Sequence, residues 1–403
     1  MQITHLRVIG RVSAKADHKT IISDLIINFM LVIVWLFLLS IRRTERERKE
    51  GQTMVTIVDG IMGSGKSTLM MHELNNEANE YKSYLWVTPY LDEIKRVQEN
   101  TYRDVQTPHN WGCPKSTDVK RLLGGQNDIG VTHELFKRFD DECRELIKGR
   151  GYTLILDEAI EAVRPYKELK AGDYSYLTDN NDIQTEANGR IKWVGSELEM
   201  RYSDIRTLAN NDCLFKVNEK FFVWTFPHDI FDLFDDVYVL TYRFEGSVLQ
   251  AYFKLYKIDY TVKSISPNGD SLVDYYKPNK EQYKARFDLY EGGKNDDKYF
   301  AKRTALSHTW STQSYNAEKL AYLANSIQNY VRNVLSEKSS AVMWTSYKDI
   351  ESKLSKKGYA RGFVACNLRG VNKYRHKTVL IYALNWVEHP AIVAFFLPER
   401  NNY

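Results

Sequence analysis

Runs of apolar residues alternate with amphipathic stretches along most of the chain. Met54 to Val58 is a short β-branched run that reads as a buried strand, ended by Asp59 and Gly60. Thr68 to Tyr81 lacks Pro and Gly and reads as a helix. The same alternation continues with a strand over 84–90, a helix over 91–101 and a short helix over 119–123 stopped by Gly124 and Gly125. A strand over 128–132, a helix from Glu134 to about Lys148 and an apolar strand running into Asp157 and Glu158 complete this part. Strands and helices alternating at this length predict an α/β fold with a parallel sheet covered on both faces.

Beyond Glu158 the pattern changes. Residues 161–220 are polar and irregular and read as an insertion, followed by strands over 221–226 and 237–240. Residues 246–312 read as a Tyr-rich connector or small subdomain with turns at Pro267–Gly269 and Gly292–Gly293. Leu320, Leu323, Ile327, Val331 and Val334 recur at helical spacing, and strands over 341–346, 363–366 and 378–384 follow. The expected organisation is an extension over 1–53, a first lobe over 54–245 with its insertion, a connector over 246–312 and a second, partial β/α lobe over 313–403.

The loop between the first strand and helix carries the chemistry. Gly60, Gly65, Lys66 and Ser67 occupy every fixed position of G-x-x-x-x-G-K-[ST], between a strand and a helix, the context such a phosphate loop requires. Glycines let the backbone curl so that its N–H groups face a phosphate, and the helix N-terminus adds partial positive charge there. Gly60, Gly63, Ser64, Gly65, Lys66, Ser67 and Thr68 are the candidate ATP phosphate-binding residues. Lys66 can reach the β- and γ-phosphates, and the Ser67 hydroxyl can bind Mg²⁺. Asp157, at the end of a buried strand, is the candidate for holding Mg²⁺ through water, and Glu158 for orienting or deprotonating the attacking water.

Composition narrows the rest. With 403 residues, 43% hydrophobic and 27% charged, the chain has the make-up of a globular protein of two or three domains. Four scattered Cys argue against a zinc site or a disulfide framework and suit a reducing cytoplasm. The net charge of +4 lies in residues 1–53 and the remainder is balanced, so any nucleic-acid footprint is a local patch. Residues 25–41 are apolar and uncharged, at the short end of a membrane-spanning helix, with a basic flank favouring the cytoplasm on the C-terminal side. Two explanations stand: a membrane anchor, or an upstream mis-start with Met54 as the true first residue.

Taken together these segments resemble the superfamily-two DExx-box helicases, in particular those encoded by bacteriophages. Gly60–Thr68 resembles the first helicase motif, Tyr84–Tyr90 motif Ia, and Gly130–His133 the strand-to-helix step after it. Leu156–Ala159 resembles the D-E-x-x box. Val239–Tyr242 resembles the third motif, with Tyr242 where many relatives carry Ala. Met343–Ser346 resembles motif IV, and Arg369, Gly370 and Asn372 resemble motif V. The resemblance implies tandem RecA-like lobes, ATP and Mg²⁺ as ligands, and DNA as partner in phage replication or processing. It also implies coupling between nucleotide and nucleic acid through Thr241, Thr345, Arg369, Gly370 and Asn372.

The Arg-rich sixth motif of that family has no counterpart after motif V. The expectation is a second lobe cut short or an arginine finger supplied in trans, with feeble turnover by the chain alone. Tyr275, Tyr276, Lys277, Lys280, Tyr283, Lys284 and Arg286 interleave as in a single-strand-binding surface, or form a solvated charged face. Competing readings are a membrane-anchored P-loop ATPase for assembly or export, a small-molecule kinase, and an ATP-binding remnant without turnover.

Overall fold

The computed structural model describes residues 53–110, 112–196, 201–279, 281–284, 300, 302–367, 374 and 376–397. The apolar segment 25–41 lies outside the described residues. Among the described residues no helix is long and apolar enough to cross a membrane.

An eight-stranded sheet forms the centre of the first lobe. Its strands are β1 (Val55–Asp59), β2 (Ser83–Thr88), β3 (Val105–Gln106), β4 (Asp128–Thr132), β5 (Tyr152–Asp157), β11 (Asp236–Thr241), β12 (Tyr260–Ile265) and β13 (Leu272–Asp274). Their spatial order is β13-β12-β1-β11-β5-β2-β4-β3. All neighbours are parallel except β12 and β13. The central strands are apolar on both faces, as a parallel sheet covered by helices requires. Ile57, Val87, Leu156 and Val239 enter one core; Val58, Trp86, Ile155 and Leu240 enter the other. Helix α1 (Lys66–Leu74) seals the second face with Leu69, Met70, Met71 and Leu74, and α2 (Leu91–Asn100) adds Val97.

Several expected boundaries move. The helix read over 68–81 ends at Leu74, and the one read over 134–148 is two pieces, His133–Phe136 and Asp141–Ile147. Asp140 restarts the second piece by accepting a hydrogen bond from the Cys143 N–H at 3.1 Å. The first sheet also runs past residue 245. β12 and β13 fall inside the stretch read as a connector, and β12 pairs directly with β1, the strand that leads into the glycine loop (the P-loop).

The described residues of the insertion form regular elements. Its strands β6 (Val163–Pro165) and β9 (Leu214–Val217) form an antiparallel sheet with β10 (Phe221–Thr225), the strand that follows the insertion, in the order β6-β10-β9. A hairpin of β7 (Ile183–Thr185) and β8 (Ile191–Trp193) lies between β6 and β9 in the chain. A third sheet, all parallel, holds β14 (Val342–Ser346) between β15 (Phe363–Ala365) and β16 (Val379–Tyr382). It has its own core, with α3 (Ala317–Asn329) contributing Leu320, Ala324 and Ile327 around Trp344.

The last described helix, α4 (Pro390–Phe396), turns away from that sheet. It packs on β6, β9 and β10, placing Ala391, Ile392 and Ala394 in the core of the first lobe and insertion. The Phe395 ring meets Phe215 edge-on at 5.1 Å.

Candidate functional site: a glycine loop facing a buried carboxylate

Strand register builds the site. β11 lies between the P-loop strand and the strand ending in Asp157. Asp59 pairs with Thr241, and Leu240 with Asp157, so three strand ends converge at one edge. Open parallel sheets bind ligands at that carboxyl edge. The Gly60 N–H donates to the Thr241 carbonyl at 3.1 Å, which ties the start of the loop to the middle strand.

The loop itself is shaped by its glycines. Gly63 and Gly65 have φ of +77° and +90°, a left-handed backbone that side chains strain. A Cβ on Gly60 would come within 2.8 Å of Ser64 Oγ. Gly65 caps α1 without a side-chain hydrogen bond, and the first turn holds no acid. The N–H groups of that turn therefore have no capping side chain on them, as anion binding at a helix start requires.

Two side chains of the loop are fixed. The Lys66 ammonium donates to the carbonyls of Gly60 at 2.7 Å and Ile61 at 3.1 Å. Burial holds its pKa below the ordinary lysine value, against the opposing pull of Glu158, Asp157 and Asp59. The Ser67 hydroxyl donates to Asp157 Oδ1 at 2.8 Å across 90 residues of sequence. Asp157 is buried, and burial pushes its pKa up to about 6. The Ser67 hydrogen bond and Arg96 pull it down while Glu158 adds to the rise. Glu158 follows in a left-handed backbone conformation, with φ +71°. A non-glycine residue there is uncommon and turns the chain sharply off the strand end.

This donor set fits a small hard cation: a hydroxyl and a carboxylate in contact, with a second carboxylate next in sequence. It also fits phosphate, through the loop amides and Lys66. Thr68 is exposed at the first turn of α1, and Thr241 is buried at the end of β11. Thr345 is buried in β14, the central strand of the third sheet. Arg369, Gly370 and Asn372 lie outside the described residues.

Two residues of the site are not apparent from the motifs. Asp59, which reads simply as a strand terminator, is buried and accepts the backbone N–H groups of Arg243 and Phe244 at 2.9 Å each. Arg96, one charge among several on an amphipathic helix, places Nη2 3.9 Å from Asp157 Oδ2. Asp59 had a weak sequence signal as an acid adjoining the glycine loop; Arg96 had none.

The fold is that of a parallel-sheet α/β protein of the Rossmann or RecA-like kind, with a strand, glycine loop and helix at its centre. The chain is 34% identical over 364 residues to the SPbeta prophage-derived protein YonV of Bacillus subtilis (strain 168), covering 85% of this chain and 86% of that one. It belongs to the YonV family. Residues 163–224 match the YonV middle domain and residues 281–402 the YonV C-terminal Rossmann-like domain. The first match spans β6 to β10, the inserted antiparallel sheet; the second takes in the third sheet and α4.

Among solved structures, the DUF1998 helicase MrfA bound to DNA aligns with 87% of this chain and 49% of its own, at 11% identity and a TM-score of 0.32. The same helicase bound to DNA and AMPPNP aligns at 13% identity and the same TM-score. The chain thus spans about half the length of that helicase.

Proposed function

We propose that this protein is a Mg²⁺-dependent ATPase of helicase type that acts on nucleic acid, DNA in the first instance, in phage replication or processing. The observation that carries the nucleotide site is the 2.8 Å contact between Ser67 and Asp157. It brings the last residue of the glycine-loop motif onto the carboxylate at the end of a different strand.

Each residue then has a defined task. The amides from Gly63 to Thr68 and the start of α1 cradle the phosphates. Lys66 exchanges the carbonyls of Gly60 and Ile61 for phosphate oxygens. Ser67 and, through water, Asp157 would hold Mg²⁺, which when bound offsets the charge of the phosphates. Glu158 orients and deprotonates the water that attacks the γ-phosphate. Thr241 links this edge to the P-loop strand through the Gly60 N–H. Thr345, Arg369, Gly370 and Asn372 belong to the second lobe and act in coupling to nucleic acid. The support for nucleic acid is the order of helicase-like motifs along the chain, together with a second α/β sheet after the first.

The test is ATP turnover by the full chain, with and without single-stranded DNA, beside a Glu158→Gln variant. Turnover that DNA stimulates and Glu158→Gln abolishes supports the reading. ATP hydrolysis indifferent to DNA removes the helicase part. No binding of MgATP removes the nucleotide site itself.

A further inference from the structure

Asp157 has a different partner on each carboxylate oxygen. Ser67 donates to Oδ1. Arg96, on the second turn of α2, directs Nη2 toward Oδ2 at 3.9 Å, within ion-pair range and beyond a direct hydrogen bond. The guanidinium is itself anchored, because Arg96 Nε donates to Glu93 Oε2 at 2.7 Å one helical turn earlier. Glu93, Arg96, Asp157 and Ser67 therefore form a continuous chain from α2 to the first turn of α1. The other nearby cation, Lys66, is turned toward the loop carbonyls of Gly60 and Ile61.

We infer that Arg96 is a positioning residue for Asp157, holding the outer oxygen so that the inner one stays aligned with Ser67 for a divalent cation. The inference rests on the reading of this edge as a Mg²⁺–nucleotide site. Two physical arguments support it. A buried carboxylate is costly without a compensating cation, and Arg96 is the arginine in ion-pair range of this one. Carboxylates that serve metals are oriented by partners outside the coordination sphere, and losing such a partner typically costs about 10–100-fold in metal affinity. Glu93 adds a second level: it fixes the guanidinium plane, so that Arg96 presents one edge to Asp157 and not a freely rotating charge.

Arg96 could instead compete with the metal for Asp157, and that arrangement has the opposite sign. Removing a competing cation would tighten metal binding. Removing a positioning residue weakens it.

The experiment is thermal denaturation of the full chain with saturating ATP, first in EDTA and then with rising Mg²⁺, for the wild type, Arg96→Gln, Arg96→Lys and Glu93→Gln. Without ligand, the melting temperature of each variant reports any purely structural loss. The expected result is that Arg96→Gln keeps the stabilisation by ATP in EDTA but needs about tenfold more Mg²⁺ to reach the midpoint of the metal-dependent shift. Arg96→Lys recovers part of the difference, and Glu93→Gln shows a smaller displacement in the same direction. An unchanged or lower Mg²⁺ midpoint in Arg96→Gln overturns the inference while leaving the nucleotide site standing. If the wild type shows no shift with ATP under either condition, the nucleotide site fails first and the inference falls with it.

Discussion

Ser67 Oγ and Asp157 Oδ1 lie 2.8 Å apart although 90 residues separate them in the chain. β5 reaches this position because β11 separates it from the P-loop strand while Gly65 starts α1 beneath it. If Mg²⁺ is held at this contact, Ser67→Ala removes one oxygen donor and leaves the packing of α1 intact, since Leu69, Met70, Met71 and Leu74 carry that packing. ATP turnover by Ser67→Ala is expected to fall about 100-fold or more, with little change in the melting temperature without ligand. Steady-state hydrolysis across a Mg²⁺ titration is the measurement, and wild-type turnover in the variant would detach Ser67 from the metal.

Gly65 tests the loop backbone independently of any side chain. Its φ is +90°, and a Cβ built there meets nothing within 4 Å. The cost of Gly65→Ala is therefore conformational, about 1–2 kcal/mol for an L-residue held in the left-handed region. The variant is expected to lose that stability in urea unfolding and to lose stabilisation by ATP as the loop relaxes. Full retention of the ATP-induced shift would show that the loop tolerates another backbone path.

The parts of this architecture legible in the sequence are those set by local pattern. β4 spans 128–132 as its apolar run predicts, and the strand, glycine loop and helix follow one another as the motif requires. Local pattern could not show what long-range pairing decides. β12 and β13 read as part of a connector because nothing in their residues says that β12 pairs with β1. The insertion looked irregular because its strands are short and its core is completed by α4, from the far end of the chain. Arg96 resembled any other charge on an amphipathic helix until folding brought Asp157 beside it.

Asp59 supplies a stability test at the same edge. Its two oxygens accept the N–H groups of Arg243 and Phe244, which pins the turn after Thr241 against the end of the P-loop strand. Phe244 is buried, so its amide has no easy access to water once the carboxylate is gone. Asp59→Ala leaves two donors without acceptors, each costing about 1–3 kcal/mol. The expected loss is therefore about 2–6 kcal/mol in urea unfolding, with Asp59→Asn intermediate because the amide oxygen can serve one donor. A loss below about 1 kcal/mol for Asp59→Ala would mean that the turn relaxes onto other partners.

His389 makes the docking of α4 sensitive to acid. Its Nδ1 accepts the Ala391 N–H at 3.1 Å and so caps the helix, while its ring meets Phe221 edge-on at 5.9 Å. Burial holds the imidazole below its ordinary value of 6.5, with Lys167 lowering it further and Glu388 pulling the other way. A lowered value in the folded chain means that the unfolded chain takes up the proton first. The stabilisation is therefore complete above about pH 6.5 and is lost as the pH falls through the lower folded value. Protonated Nδ1 also cannot accept the Ala391 amide, so acid removes the cap itself. His389→Asn retains an acceptor that does not titrate, and His389→Ala removes it, at a cost of about 1 kcal/mol near neutral pH. Urea unfolding at about pH 7.5 and about pH 5 should show the wild type losing more stability on acidification than His389→Asn. Equal losses in the two proteins would mean that the cap survives protonation, for example by rotation of the ring to another partner.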